Sequence, residues 1–263
     1  MGKVLAVANQ KGGVGKTTTT VNLTASLSAM RRNVLMIDMD PQGNATTGLG
    51  IDKHNRNPSL NDVLLGEVPA SDIIVKIPDT QISVLPGTPD LTVAEVELAQ
   101  MERREYRLRE ALAPIVNDYD FILIDCPPTL NTLTVNALVA ADGVVIPMQC
   151  EYYALEGLTA LMNTIDEIAA NANPRLRITG LVRTMFDPRS NLSRQVSEQL
   201  QEHFSDRLYS TSIPRNIRLA EAPSHGLPVL AYDKNSRGAL AYLALASEML
   251  RKVGHDESGE AVW

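Results

Sequence analysis

A chain of 263 residues that is 44% hydrophobic can bury one large core, and its 21% charged residues argue against wholesale disorder. A net charge of −7 argues against a generally basic nucleic-acid coat, though not against a local basic face. Two cysteines, Cys126 and Cys150, are too few for a disulfide scaffold and lack zinc spacing, while 4% aromatics leave few platforms for stacking single-stranded bases.

Short apolar runs alternate with helix-period segments. The first strand is expected over residues 4–8, and the N-terminal stretch shows no apolar run of signal-peptide length. A glycine-rich stretch follows, then a helix over residues 16–30. Further strands are expected at 34–37, 82–85, 121–124, 144–147, 178–182 and 209–213. Several are apolar without alternation, as in strands buried on both faces of a parallel sheet. The intervening segments 92–117, 132–140, 155–172, 192–204 and 237–252 have helical patterning. Residues 51–79 are the least regular and resemble an inserted surface segment. This rhythm predicts an α/β fold: a single doubly wound, mostly parallel sheet with helices on both faces. Residues 1–254 are assigned to that domain and 255–263 to a short acidic tail expected to fray. No stretch reaches the ~18 apolar residues of a membrane span. A reduced, cytoplasmic setting is expected.

The first chemical signal lies between the first strand and the first helix, in Lys11-Gly12-Gly13-Val14-Gly15-Lys16-Thr17. Glycines there let the backbone turn tightly and bring N–H groups to phosphate oxygens, and the helix N-terminus adds partial positive charge. Lys16 can reach the β- and γ-phosphates, Thr17 can ligate Mg²⁺, and Thr18 is placed for a further phosphate contact. The pattern departs from the usual phosphate loop, because Gln10 occupies the place of its first glycine and Lys11 is added.

Two carboxylates belong with this loop. Asp125 follows the apolar run from Phe121 to Ile124, where an acid can hold Mg²⁺ directly or through water. Asp40 follows the second strand, at the edge where α/β sheets bind ligands, and can orient a water near the γ-phosphate. The competing reading is that Asp40 caps the Pro41 turn. Asp38, two residues earlier, points to the same side and is a supporting candidate.

The form KGGxGKT resembles the deviant Walker A loop of the ParA/MinD superfamily. Asp38-Met39-Asp40-Pro41-Gln42-Gly43-Asn44, Asp125-Cys126-Pro127-Pro128, the run from Glu151 to Gly157 and the run from Ile213 to Ser224 all resemble its chromosomal ParA/Soj branch. That resemblance implies a partition ATPase of weak basal activity that turns ATP and water into ADP and phosphate, with Mg²⁺. Lys11, Lys16 and Asp40 would be the catalytic residues. It implies that residues 11–18 bind ATP and that Met185, Pro214 and Asn216 line the adenine. Lys11 would cross to the partner's phosphates in an ATP-bound homodimer, with Glu151 facing the partner near that lysine. The dimer would bind non-specific double-stranded DNA on the nucleoid, and a centromere-binding ParB-type protein would stimulate hydrolysis.

The C-terminal half fits such a role. From Arg175 to Lys252 there are twelve Lys/Arg and seven Asp/Glu, a balance of +5, so the rest of the chain sums to −12. Phosphate contacts supply most non-specific duplex affinity. Arg189 and Arg218 match family positions implicated in DNA contact; Arg194, Arg215, Lys234 and Arg237 are further candidates. Two alternatives use the same fold. A MinD-like membrane ATPase positioning cell division needs a basic amphipathic C-terminal helix, hinted at only by residues 250–253. An iron–sulfur carrier needs thiolates that meet across a dimer axis, from Cys126 or Cys150.

Overall fold

A computed structural model describes residues 2–54 and 56–257, and the side chains of these up to residue 253. In chain order the elements are β1 (Lys3–Val7), α1 (Lys16–Ala29), β2 (Val34–Asp38), α2 (Asn44–Gly48), α3 (Leu60–Leu65), β3 (Val75–Lys76), β4 (Ile82–Leu85), α4 (Leu91–Leu98), α5 (Arg107–Leu112), β5 (Phe121–Asp125) and α6 (Thr132–Ala140). They continue with β6 (Gly143–Gln149), α7 (Ala154–Asn171), β7 (Arg177–Phe186), α8 (Asn191–Phe204), β8 (Leu208–Pro214), α9 (Ile217–Glu221), α10 (Val229–Tyr232) and α11 (Arg237–Glu257). The strands form one sheet in the order β3-β4-β2-β5-β1-β6-β7-β8, parallel except for the β3–β4 pair. The expected doubly wound α/β architecture is the observed one.

Binary patterning explains the two layers. β1, β2 and β5 are largely apolar on both faces, and helices cover the sheet on both sides. Leu5, Val7, Val34 and Leu123 pack under α1 and α11 through Leu23, Leu27, Tyr242, Leu245 and Met249. Val4, Ala6, Leu35, Ile37, Ile122 and Ile124 pack on the opposite face, against side chains from α3 to α8. Helix α7 buries Leu158, Leu161, Ile165 and Ile168, the i, i+3, i+7 and i+10 stripe of an amphipathic helix.

Three expectations need correction. Residues 92–117 do not form one helix. Arg103 takes a left-handed φ of 54°, and Asn136 from α6 holds the break, accepting from Leu108 N at 3.1 Å and donating to Arg104 O at 2.8 Å. Pro114 lies just beyond α5, where it cannot continue a helix. The segment 51–79 is not a surface appendage either: Leu60, Val63, Leu64, Ala70 and Ile73 join the core. The Asp62 carboxylate starts α3 by accepting the Ser59 N–H at 2.6 Å. Finally, α11 runs to Glu257, so the first three residues of the expected tail are helical; residues 258–263 lie outside the described residues.

The outer strand β8 is irregular beside β7, and two charged side chains hold its middle. Arg183 donates to the Tyr209 and Ser210 carbonyls at 3.0 and 2.9 Å, and Glu248 accepts from Ser210 N at 2.7 Å and Thr211 N at 2.9 Å. Burial raises the Glu248 pKa, but those backbone donors, with the Thr211 hydroxyl and the Lys252 charge, together outweigh it and leave the carboxyl below its ordinary value. Glu248→Ala would orphan two N–H groups at a sheet edge. We expect a loss of about 1–3 kcal/mol, read as a lower urea midpoint. Because the folded pKa is depressed, this contribution is present above the unfolded glutamate pKa and is lost on acidification through the folded one. The wild-type minus variant difference should shrink accordingly.

Candidate nucleotide site

The carboxyl ends of β1, β2, β5, β6, β7 and β8 meet along one edge of the sheet, where open α/β sheets place their ligands. The loop leaving β1 turns through Gly13 and Gly15 with φ of 75° and 88°, a region that glycine occupies without steric cost. Its carbonyls are tied inward. Gly13 O accepts from Gln149 Nε2 at 3.0 Å, Val14 O from Thr184 Oγ1 at 2.7 Å, and Lys11 O from Lys16 Nζ at 3.1 Å. The backbone N–H groups of Gly12 to Thr18 have no protein acceptor among the described residues. Free donors at the start of a 14-residue helix make an anion site.

Acids surround the loop's lysine. Lys16 is buried, and burial draws its pKa down while Asp125 and Asp40 oppose that. Asp125 is buried at the end of β5; its Oδ2 accepts from Thr17 Oγ1 at 2.8 Å and its Oδ1 from Thr20 Oγ1 at 3.0 Å. Burial, then the neighbouring Asp38 charge, raises its pKa. A hydroxyl and a carboxylate brought together beside free N–H donors are the hard oxygen set that suits Mg²⁺, whose charge would relieve the buried Asp125. Thr17 and Asp125 thus fit the cation expected of them.

The other two acids differ. Asp38 is buried, and its carboxylate accepts from Thr46 N and Thr46 Oγ1, both at 2.8 Å, and from Asp40 N at 3.2 Å. It therefore shapes the loop after β2 and holds the Asp40 N–H, while its charge acts on Asp125. Asp40 is half-buried, and its Oδ1 accepts from Gln42 N at 2.9 Å. The turn cap proposed as its alternative role is thus present, while its partial exposure leaves it free to act on solvent.

Beside the phosphate loop lies a cavity of about 190 Å³ lined by Gly15, Thr18, Thr184, Met185, Ile213, Pro214, Asn216 and Tyr242, among others. The three residues expected around an adenine, Met185, Pro214 and Asn216, share this one cavity. Thr18 is on its wall, between the loop and the base pocket. Met185 has a left-handed φ of 48° within β7, a conformation that costs a non-glycine residue on the order of 1 kcal/mol. Tyr242 reaches across to Thr19 at 3.1 Å. Gln149, Thr184 and Tyr242 were absent from the sequence-based site; the signal available for the first two was position, at strand ends on the ligand edge.

Lys11 pairs with Glu151 of its own chain at 2.5 Å, and both side chains are about half exposed. Tyr152 and Tyr153 beside it are 75% and 68% exposed, so an apolar surface adjoins this pair. On the basic side, Arg189 is bidentate to Asp187, whose pKa falls to about 2 chiefly through those hydrogen bonds. Arg218 meets Glu221 at 2.8 Å and Asp233 at 3.4 Å, which brings α9 next to Lys234 and Arg237. Arg215 lies near enough to Asp187 to affect its charge and also lines the cavity. Arg194, on α8, is held by Asn191 at 2.5 Å. The six candidates are exposed. Two of them are already paired with acids, so they would have to exchange those partners for phosphate.

The alternative readings lose their structural basis. Cys126 and Cys150 are buried and burial pushes both thiols up, Cys150 to about 11, so neither offers a ready thiolate. Leu250 and Val253, on α11, pack against the core that this helix covers. No helix among the described residues is long and apolar enough to cross a membrane.

Comparison with known proteins agrees. An AAA-domain family model matches residues 2–178. The chromosome partitioning protein ParA of Caulobacter vibrioides is 53% identical over 252 residues, covering 95% of this chain and 94% of that protein. The sporulation initiation inhibitor protein Soj of Bacillus subtilis is 51% identical over 249 residues, covering 95% and 98%. The crystal structure of cobyrinic acid a,c-diamide synthase from Mycobacterium smegmatis, with bound ATP analogue and magnesium, superposes with a TM-score of 0.85 at 38% identity, covering 99% of this chain and 98% of that one. With its deviant phosphate loop, its aspartates at the strand ends and this full-length likeness, the chain belongs to the ParA/Soj family of chromosome-partitioning ATPases.

Proposed function

We propose that the chain is a nucleotide switch for chromosome or plasmid partitioning, in which ATP with Mg²⁺ drives dimerisation and non-specific DNA binding. The observation that carries the reading is one continuous site: free N–H donors and Lys16 beside the Thr17–Asp125 pair, opening directly onto the cavity lined by Met185, Pro214 and Asn216. In it the N–H groups of residues 12–18 and Lys16 hold the phosphates. Thr17 and Asp125 hold Mg²⁺, Asp125 directly or through water. Asp40 orients the attacking water. Mg²⁺, when bound, neutralises charge developing on the phosphates.

Lys11 and Glu151 give the dimerisation step a physical form. An exposed ion pair is worth about 1 kcal/mol or less, so it can open at little cost. Lys11 is then free to reach phosphates across an interface that includes Tyr152 and Tyr153. Arg189, Arg218, Arg194, Arg215, Lys234 and Arg237 supply the DNA face. A centromere-bound ParB-type protein stimulates hydrolysis, and the switch operates on the nucleoid in the cytoplasm.

One experiment tests this chain of events. Wild-type protein and Lys11→Ala are compared for ATP affinity, for mass by light scattering, and for retention on random duplex at increasing salt. Lys11→Ala is expected to bind ATP within about threefold of wild type, since its Nζ makes no bond to the loop. It should stay monomeric and lose salt-sensitive DNA retention. A Lys11→Ala protein that dimerises and holds duplex as wild type does would remove the lysine from the switch. ATP-loaded wild type that shows no salt-sensitive duplex binding would remove DNA from the function.

A further inference from the structure

Gln149 is the last residue of β6 and joins two parts of the site that come from distant segments. Its Nε2 lies 3.0 Å from Gly13 O in the phosphate loop and 2.9 Å from Met185 Sδ on the wall of the base cavity. A carboxamide nitrogen has two hydrogens, so both acceptors can be served at once. Its own carbonyl accepts the Glu151 N–H at 2.9 Å, two residues before the carboxylate that holds Lys11. Phosphate loop, base wall and the Lys11 ion pair thus converge on a single side chain and its peptide.

The base wall is the part that needs this support. Met185 sits at a φ of 48°, where a non-glycine residue persists only if its surroundings over-determine it. Its Cε lies 3.9 Å from where a Cβ on Gly15 would stand, so the methionine already borders the loop it must align with. Gly13 O needs the same amide for another reason. Tying this carbonyl inward points the Val14 N–H of the same trans peptide the opposite way, as the Thr184 bond on Val14 O does for the Gly15 N–H. Turned over, the carboxamide would set its oxygen against the Gly13 carbonyl, so only the donor orientation is tolerated.

We infer that Gln149 is a positioning residue that couples the base cavity to the phosphate loop, so that a nucleotide whose base seats against Met185 stabilises the phosphate-receiving loop more than its phosphates do alone. This rests on the reading of ATP as the ligand. Two acceptors sharing one amide respond together, because moving Met185 Sδ moves the donor that serves Gly13 O. Thr184 also ties the cavity wall to the loop, through Val14 O, but only Gln149 engages the Met185 sulfur itself.

The test compares Mg²⁺-dependent binding of ATP and of inorganic tripolyphosphate, which carries the phosphates without the base, to full-length wild type, Gln149→Leu and Met185→Leu. Gln149→Leu keeps apolar bulk but has no donor. Met185→Leu keeps an apolar wall but has no sulfur acceptor and leaves the Gly13 bond in place. In Gln149→Leu, ATP affinity should fall about tenfold, the upper scale of one hydrogen-bonded link, and tripolyphosphate affinity about threefold or less. Met185→Leu should weaken ATP a few-fold and leave tripolyphosphate unchanged. Thermal melting of the nucleotide-free proteins checks that each variant is folded; if Gln149→Leu does not fold, Met185→Leu decides. Equal losses for both ligands would make Gln149 a loop brace only and overturn the coupling, as would no loss in either variant. Wild type that binds tripolyphosphate as tightly as ATP would instead defeat the base-cavity reading itself.

Discussion

Lys16→Ala is expected to abolish measurable nucleotide binding while leaving the fold intact. Lys16 is buried, with its stem in the loop and its ammonium donating to Lys11 O at 3.1 Å. It is a buried cation held on a loop carbonyl rather than a solvated lysine. Each charge-assisted hydrogen bond is worth about 1.5–3 kcal/mol, so losing contacts to two phosphate groups costs roughly 3–6 kcal/mol. That is more than about a hundredfold in Kd. A second effect acts in the same direction. Asp125 and Asp40 both act on this lysine electrostatically, and without it they meet an incoming triphosphate with their charge uncompensated. Lys16→Met retains the aliphatic stem and should lose binding equally, which assigns the effect to charge rather than packing. Isothermal titration with ATP and Mg²⁺ measures it. An alanine variant that binds within tenfold of wild type would mean that the loop N–H groups suffice, and Lys16 would lose its role.

How far the sequence reaches depends on the distance over which a feature is encoded. Strands such as Ile82–Leu85 and helices such as Thr132–Ala140 were legible because their patterning is local. The break at Arg103 was not, because a side chain from another helix, Asn136, holds it. The two-residue strand β3 leaves no periodicity to detect, and the burial of α3 depends on what covers it. The site divides in the same way. Lys11, Lys16 and Thr17, in the loop and first helical turn after β1, and Asp40 and Asp125, at strand ends, stand in motifs that can be read as chemistry. Gln149 and Thr184 act on the loop from 136 and 170 positions away, through single side-chain bonds that no spacing rule anticipates. Asp38 was a supporting candidate whose part the motif left open, and its partners, Thr46 and the Asp40 N–H, are visible only in the fold.

That distribution of partners decides which acid can handle water. Asp125 and Asp38 are buried, and each accepts at least two hydrogen bonds from the protein. Only Asp40 is partly open, with one oxygen engaged by Gln42 N at 2.9 Å and the other without a protein donor among the described residues. Asp40→Ala is therefore expected to slow hydrolysis about 10²–10⁴-fold, the range for removing a positioned general base, with ATP affinity changed by no more than a few-fold. The ATP-bound form should then accumulate as a dimer that remains on DNA. Because the same carboxylate caps the turn after Pro41, alanine alone cannot separate the two roles. Asp40→Asn can, since its amide oxygen still accepts from Gln42 N–H while the negative charge is gone. If Asp40 acts on water, asparagine should be nearly as slow as alanine in single-turnover assays, with an unchanged melting temperature. Wild-type turnover by Asp40→Asn would mean that capping is its whole contribution, and the water-positioning group would have to be sought elsewhere along the carboxyl edge.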